Sequence, residues 1–323
     1  MISVQDFLLI DAPAMVTGAL AALACALVGN FLVLRKQALI GDAMSHVVLP
    51  GIVVAFWVTG VISAVPMLLG ALVAALVAAG LIEAIRRLGH MEPGAAMGVV
   101  FTVMFALGVV LLERSGGRDV HLDVQHALYG NLEGTLWIGA DGWGSLVDPS
   151  ALAELPRQLV TLAVITAVIG ALIVLFFKEL RLVTFDPALA TALGFPAHWV
   201  NLAMTVVTAA AAVAAFEAVG SILVIAMFIC PPATARMLTD RLTTQVWLSA
   251  LFAVGAGLLG YLFAAFGLGW FGIDASLNAA GMIAVVAASG QVLAMLFSPR
   301  HGVIARRRAI RRSADEATAQ RLA

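Results

Sequence analysis

The side chains best suited to chemistry in this sequence are an aspartate and a histidine four residues apart, Asp42 and His46, within the run GDAMSHVVLPG at 41–51. On an α-helix this spacing puts both side chains on one face. A carboxylate and an imidazole form a borderline ligand pair that suits Mn, Fe or Zn. Two ligands hold a metal weakly, and a symmetric second chain would supply two more. Such a site fits an ion that must both enter and leave.

Both residues lie in apolar sequence, where ionisable groups are costly and usually functional. A buried hydrogen bond between Asp42 and His46 that stabilises a helix is the alternative to metal binding. Glu217 also interrupts apolar sequence, and it is either a further metal ligand or a helix-end carboxylate. A polar stretch at 113–156 holds three more candidates for contact with an arriving metal or a partner protein, unless they are simply solvated: His121, Asp123 and His126.

The composition indicates what surrounds these residues. Of the 323 residues, 62% are hydrophobic and only 11% are charged, with a mean hydropathy of +1.05. A soluble domain normally has roughly a quarter of its residues charged. The apolar excess therefore predicts an all-α, polytopic transmembrane bundle. The net charge of −1 points to no nucleic-acid partner.

A helix needs about 20 mostly apolar residues to span a membrane. The sequence predicts about nine such spans, with eight as the alternative because the sixth and seventh nearly touch at 217–220. The nine predicted spans are 12–34, 39–59, 63–85, 95–112, 157–177, 197–217, 219–235, 246–267 and 276–297.

The distribution of Lys and Arg predicts the orientation of the spans. With nine spans and the N-terminus outside, fifteen of the 18 basic residues fall on one side of the membrane. We therefore expect a bacterial inner-membrane protein whose C-terminus is cytoplasmic. The 113–156 loop would lie outside, and its acidic residues would concentrate cations near a pore mouth. The basic tail at 300–323 is expected to be disordered and separate from a transmembrane domain at 1–299.

A short helix is predicted between the fifth and sixth spans, on the basic side. Asp186 is a capping residue followed by Pro187 at the first helical position, and Gly194 is a stop signal. With a partly apolar surface, this helix suits a groove on a cytoplasmic partner. A plain interfacial linker is the alternative.

Several catalytic motifs are absent from the sequence. There is no G-x-x-x-x-G-K-[ST] phosphate loop, no H-E-x-x-H and no G-x-S-x-G. The chain is therefore not expected to be an enzyme, and ATP-driven transport would need a separate ATPase chain.

Three ordered segments resemble the metal-ion ABC permeases of the zinc/manganese/iron uptake type. They are GDAMSHVVLPG at 41–51, FDPALATALG at 185–194, and FEAVGSILVIAM at 216–227 continuing through PPATAR at 231–236. A weaker fourth segment is HLDVQHALYGNLE at 121–133, and the resemblance covers roughly 10–298.

The resemblance implies an importer subunit that binds no permanent cofactor and passes Mn²⁺, Zn²⁺ or Fe²⁺ through the interface of a permease dimer. Its implied partners are a second copy or a paralogue, a cytoplasmic ATPase dimer and a periplasmic or lipid-anchored metal-binding protein. Asp42 and His46 would line the path, with Glu217 less certain. The ATPase would dock on a coupling helix at about 185–195, at residues that include Phe185, Asp186, Pro187, Ala190 and Gly194.

Two other functions remain open from the sequence. A permease for a metal chelate, such as a siderophore, would keep the architecture but need a wider path with few ligands. A proton-coupled secondary transporter would use the same acidic and histidine residues as a proton relay. The choice among the three metals also stays open.

Overall fold

The computed structural model describes residues 4–38, 40–60, 64–114, 132–267, 269, 277–298 and 302–305. Every regular element in these ranges is helical, which confirms the all-α prediction. His121, Asp123, His126 and most of the 300–323 tail lie outside the described residues. The main helices are α1 (Ala12–Leu34), α2 (Ile40–Val47), α3 (Leu49–Thr59), α4 (Ala64–Gly89), α5 (Pro93–Arg114), α6 (Pro149–Ala153), α7 (Arg157–Leu175), α8 (Phe177–Phe185), α9 (Pro187–Ala192), α10 (Ala197–Leu238), α11 (Leu242–Phe266) and α12 (Ala279–Phe297).

Within the described ranges, seven helices are long and apolar enough to cross a membrane. The predicted span at 39–59 is divided into α2 and α3, with Val48 between them. Pro50 accounts for the division, because proline has no N–H to donate to the carbonyl four residues earlier, that of His46. The predicted spans 197–217 and 219–235 are both contained in α10.

The bundle has two distinct ends. At the basic end, a cavity is lined by residues that include Lys178, Arg181 and Arg241. At the opposite end, which we call the loop end, the Tyr261 hydroxyl donates to Asp11 Oδ1 at 2.8 Å. There the Ala279 N–H at the start of α12 donates to the Glu133 carboxylate, also at 2.8 Å.

The element α10 consists of two helical arms joined at Gly220, and it begins and ends at the basic end of the bundle. Asn201, near its start, accepts a hydrogen bond from Arg35 at the end of α1. Asp240, just beyond its last residue, lines the basic-end cavity. Between them Glu217 lies beside Arg157, the first residue of α7.

The reversal in α10 occurs at Gly220, the one residue in the helix with a non-helical backbone, at φ 73° and ψ 173°. That region of backbone space is essentially restricted to glycine. The arms 197–219 and 221–238 contain 23 and 18 residues, and a helix that spans a membrane has about 17–25. Each arm is therefore long enough for one pass, and the architecture is compatible with nine spans.

The centre of the bundle is formed by α1 and α10. In the most apolar 18 residues of Phe7–Leu34, the stretch that contains α1, 72% of the residues are buried. The corresponding value is 22% for α4, α5 and α7, which lie at the periphery. Small residues permit the close central packing. A Cβ at Gly29 of α1 would collide with the backbone carbonyl of Phe228, and one at Gly257 of α11 would lie 2.6 Å from the Ala19 Cα.

A buried polar network also joins α1 to α11. The Asn30 amide donates to Ser249 Oγ at 3.0 Å and to the Ala26 carbonyl at 2.7 Å. Gln245 Nε2 donates to Asn30 Oδ1 at 3.1 Å. Polar groups in an apolar interior must find such partners, so this network fixes the register of the two helices.

Candidate functional site

The predicted ligand pair belongs to α2, the short first half of the divided span. Positions 42 and 46 are one turn apart on this helix and therefore share a face. The side chain of Asp42 lies outside what the structure describes. The helix packs between α5 and both arms of α10, which places it inside the bundle.

The His46 imidazole is half-buried among aromatic side chains. Its ring centroid lies 5.7 Å from that of Phe101 and 5.6 Å from that of Phe105, both on α5. The ring of Phe216, on α10, lies 6.3 Å away. All three contacts are edge-on, so the imidazole is oriented by packing from two helices.

Gly41 sets how closely α2 approaches α10. A Cβ at this position would lie 2.5 Å from Phe228 Cδ2 and 2.7 Å from Cγ, inside van der Waals contact. The Phe228 ring is fully buried and has little room to move. The glycine immediately before Asp42 is thus required by the packing of the helix that carries the candidate ligands.

Glu217 follows Phe216 directly but reaches toward the loop end. Its carboxylate lies 3.9 Å from an Arg157 guanidinium nitrogen, and both side chains are about half exposed. An exposed pair at this distance contributes little stability. Whether Glu217 also serves as a metal ligand stays a prediction.

No group of three or more His, Cys, Asp or Glu side chains able to hold a metal comes together among the residues described. The loop candidates His121, Asp123 and His126 are outside that part of the chain. The structure therefore shows His46 in contact with Phe216. That Asp42, His46 and Glu217 bind a metal stays a prediction.

The predicted short helix is present as α9, with both expected ends. Asp186 Oδ1 accepts from the Leu189 N–H at 2.9 Å, which caps the first turn. At the other end the Phe195 N–H donates to the Ala190 carbonyl at 2.9 Å and the Gly194 N–H to the Thr191 carbonyl at 3.0 Å. This is a Schellman motif, and Gly194 takes its required left-handed conformation at φ 83°.

The surface around α9 is apolar and open. Phe185 at the end of α8, Leu189 on α9 and Leu193 just after it are 56%, 46% and 60% exposed. Ala190, in contrast, is fully buried, so among the predicted coupling residues it packs inward and supports the helix.

A cavity of about 780 Å³ lies beside α9 at the basic end. It brings apolar side chains together with charged ones, among them Lys178, Arg181 and Arg241, which in the sequence indicated only the orientation of the spans. Because α8 and the α10–α11 connection are far apart in sequence, no local pattern indicates this grouping. The cavity is lined by Lys178, Glu179, Arg181, Leu182, Phe185, Asp186, Leu189, Phe195, Asp240, Arg241, Leu242 and Thr243.

Arg35 is a further residue whose role the sequence did not indicate. Its Nε donates to Thr184 Oγ1 at 3.2 Å and its Nη1 to Asn201 Oδ1 at 2.7 Å. Burial lowers the pKa of the guanidinium from its usual value. The group is partly buried between α1, α8 and α10.

Comparison with known proteins gives a consistent result. The sequence matches the ABC 3 transport family over residues 8–136 and 150–298. It is 40% identical over 294 residues to the manganese transport system membrane protein MntD of Bacillus subtilis, covering 90% of this chain and 93% of that protein. It is 37% identical over 284 residues to the zinc transport system membrane protein TroD of Treponema pallidum, covering 88% and 72%. The solved structure described as PsaBC from Streptococcus pneumoniae in complex with Fab has a TM-score of 0.69 and 29% identity, covering 89% of this chain and 91% of that one.

Proposed function

The chain belongs to the ABC 3 transport family of multi-pass membrane permeases, and on that premise we propose that it carries a divalent transition-metal ion across the membrane as part of an ATP-driven importer. The names of the manganese and zinc transport relatives support this class of cargo. The sequence contains no phosphate-binding loop, so a separate ATPase chain would hydrolyse the ATP.

The helix α2 is the observation that carries the proposal. It is half of a membrane span, it presents an aspartate and a histidine position on one face, and the His46 ring is held by aromatic contacts from α5 and α10. Two copies of this chain, or this chain and a paralogue, would bring four ligands together at their interface. Carboxylate and imidazole ligands accept Mn²⁺, Zn²⁺ and Fe²⁺ alike.

The ATPase would dock at the basic end, on the exposed apolar residues in and beside α9 and on the adjacent cavity. This assignment puts the basic end in the cytoplasm, as the distribution of Lys and Arg favours. The loop end would then face outward and receive the ion from a periplasmic or lipid-anchored metal-binding protein.

The test is uptake of radiolabelled Mn²⁺, Zn²⁺ and Fe²⁺ by cells that express the chain with its cognate ATPase and binding protein. We expect accumulation of one ion, and its loss in Asp42→Asn and in His46→Gln. The matched control is His198→Gln, because His198 is exposed and its ring contacts Trp199 rather than the aromatic rings around His46. Uptake of a chelate but no free ion, or uptake that continues without ATP, would support a chelate permease or a proton-coupled carrier instead.

A further inference from the structure

The side chain of Arg35 joins two helices that flank α9. Thr184, which accepts from Nε at 3.2 Å, is two residues before the Asp186 cap. Asn201, which accepts from Nη1 at 2.7 Å, follows shortly after α9, near the start of α10. The guanidinium therefore holds both ends of the segment that contains the proposed ATPase-docking helix.

The backbone of Arg35 is joined just as closely to α2. It is the C-cap of α1, and a compact turn follows it. In that turn the Gln37 N–H donates to the Leu32 carbonyl at 2.8 Å, and the Ile40 N–H donates to the Gln37 carbonyl at 3.0 Å. Lys36 takes a left-handed conformation at φ 58°. Because α2 begins at Ile40, a displacement of Arg35 is passed to the helix that carries Asp42 and His46.

We propose that Arg35 is a positioning residue that transmits movement of α9 to α2, and so couples ATP hydrolysis to opening of the ion path. The inference rests on the proposed function. A displacement of α9 relative to α1 must pull on the bonds to Thr184 and Asn201 or break them.

Arginine suits this task because its planar fork places several donors in fixed directions, whereas the lysine ammonium is a point charge on a flexible stem. Both acceptors are neutral, so the bonds are charge-assisted on one side only. Arg35 Nη2 is buried and has no hydrogen-bond partner among the described residues. Two of the three guanidinium nitrogens, Nε and Nη1, therefore donate hydrogen bonds, each to a different helix.

The experiment uses the complete complex with its ATPase and metal-loaded binding protein in proteoliposomes. Three quantities are measured: ATPase retained on purification, ATP hydrolysed, and ions taken up per ATP. In Arg35→Lys and Arg35→Gln we expect the ATPase to be retained while uptake per ATP falls at least about fivefold, the lower bound of ordinary coupling between two sites. The charge control is Lys36→Gln, which we expect to keep the wild-type ratio.

A second set of variants leaves Arg35 in place. Thr184→Val combined with Asn201→Leu removes both acceptors, and we expect the same loss of uptake per ATP. Adding Arg35→Gln to that pair should cost nothing further, because all three changes act through one set of contacts.

Two outcomes overturn the inference. One is a wild-type ratio of uptake to ATP in the Arg35 variants or in the acceptor pair. The other is loss of the ATPase from the complex in both sets, which would make Arg35 a structural clamp. Failure of the proposed function itself looks different, since the wild-type complex would then take up no metal ion.

Discussion

Gly194→Ala tests the shape of α9 without altering any packing contact. A Cβ at Gly194 would meet no heavy atom within 4 Å, so the substitution brings no steric collision. Its effect must come from the backbone, because Gly194 has φ 83° and an L-residue is strained there. The left-handed conformation costs an alanine about 1–2 kcal/mol.

Part of that cost is offset, because alanine has less freedom than glycine to lose on ordering, which is worth about 0.4–1 kcal/mol. The net destabilisation of the helix end is therefore about 1 kcal/mol, equivalent to about a fivefold smaller ratio of ordered to disordered helix end. An isolated six-residue helix is marginal. The ordered fraction therefore enters directly into the apparent affinity for the ATPase.

The assay is titration of the detergent-solubilised chain with its ATPase, which gives the apparent Kd. We expect Gly194→Ala to weaken binding by up to about fivefold, and Gly194→Asn to weaken it less because asparagine tolerates the left-handed region. Gly194→Pro should abolish binding, since proline fixes φ near −65° and removes the N–H that donates to Thr191. The control is Gly255→Ala, at an open helical position.

Unchanged ATPase affinity in Gly194→Ala would refute the reasoning, because the Schellman end of α9 would then be irrelevant to docking. Equal weakening in Gly255→Ala would refute it as well. That result would mean that any change in the bundle disturbs the complex.

Two further predictions concern the path. Gly41→Ala should lower both thermal stability and metal uptake, because the added Cβ would press on the buried Phe228 ring at a cost of about 1–3 kcal/mol. The control is Gly98→Ala, at an open position, which should leave uptake and the unfolding midpoint unchanged. Gly220→Ala should cost about 1–3 kcal/mol through its backbone conformation, and limited proteolysis should detect a loosened α10 that Gly170→Ala does not produce.

Local features of the sequence were sufficient to predict α9. Its cap, its first-turn proline and its glycine stop act within a few residues of one another, and the structure contains both expected ends. The long apolar runs likewise predicted the membrane-spanning helices, because lipid demands length and apolarity whatever the neighbours are.

The division of α2 from α3 was not predicted, although Pro50 was visible in the sequence. Proline is tolerated within membrane helices when the neighbouring packing satisfies the freed backbone groups. Its presence alone therefore does not decide between a kink and a break. The sequence likewise showed Gly220 only as a short junction between two spans, and the contacts of Asn201 and Asp240 at one end of the bundle reveal the reversal.

The sequence by itself determined the class of protein, the approximate spans and the shared helix face of positions 42 and 46, because periodicity and hydropathy are local properties. Only the tertiary structure decided what surrounds them. The aromatic contacts of His46, the pairing of Glu217 with Arg157, and the bridge from Arg35 to Thr184 and Asn201 join residues far apart in the chain. Such pairings depend on how the helices pack against one another, which no single segment specifies.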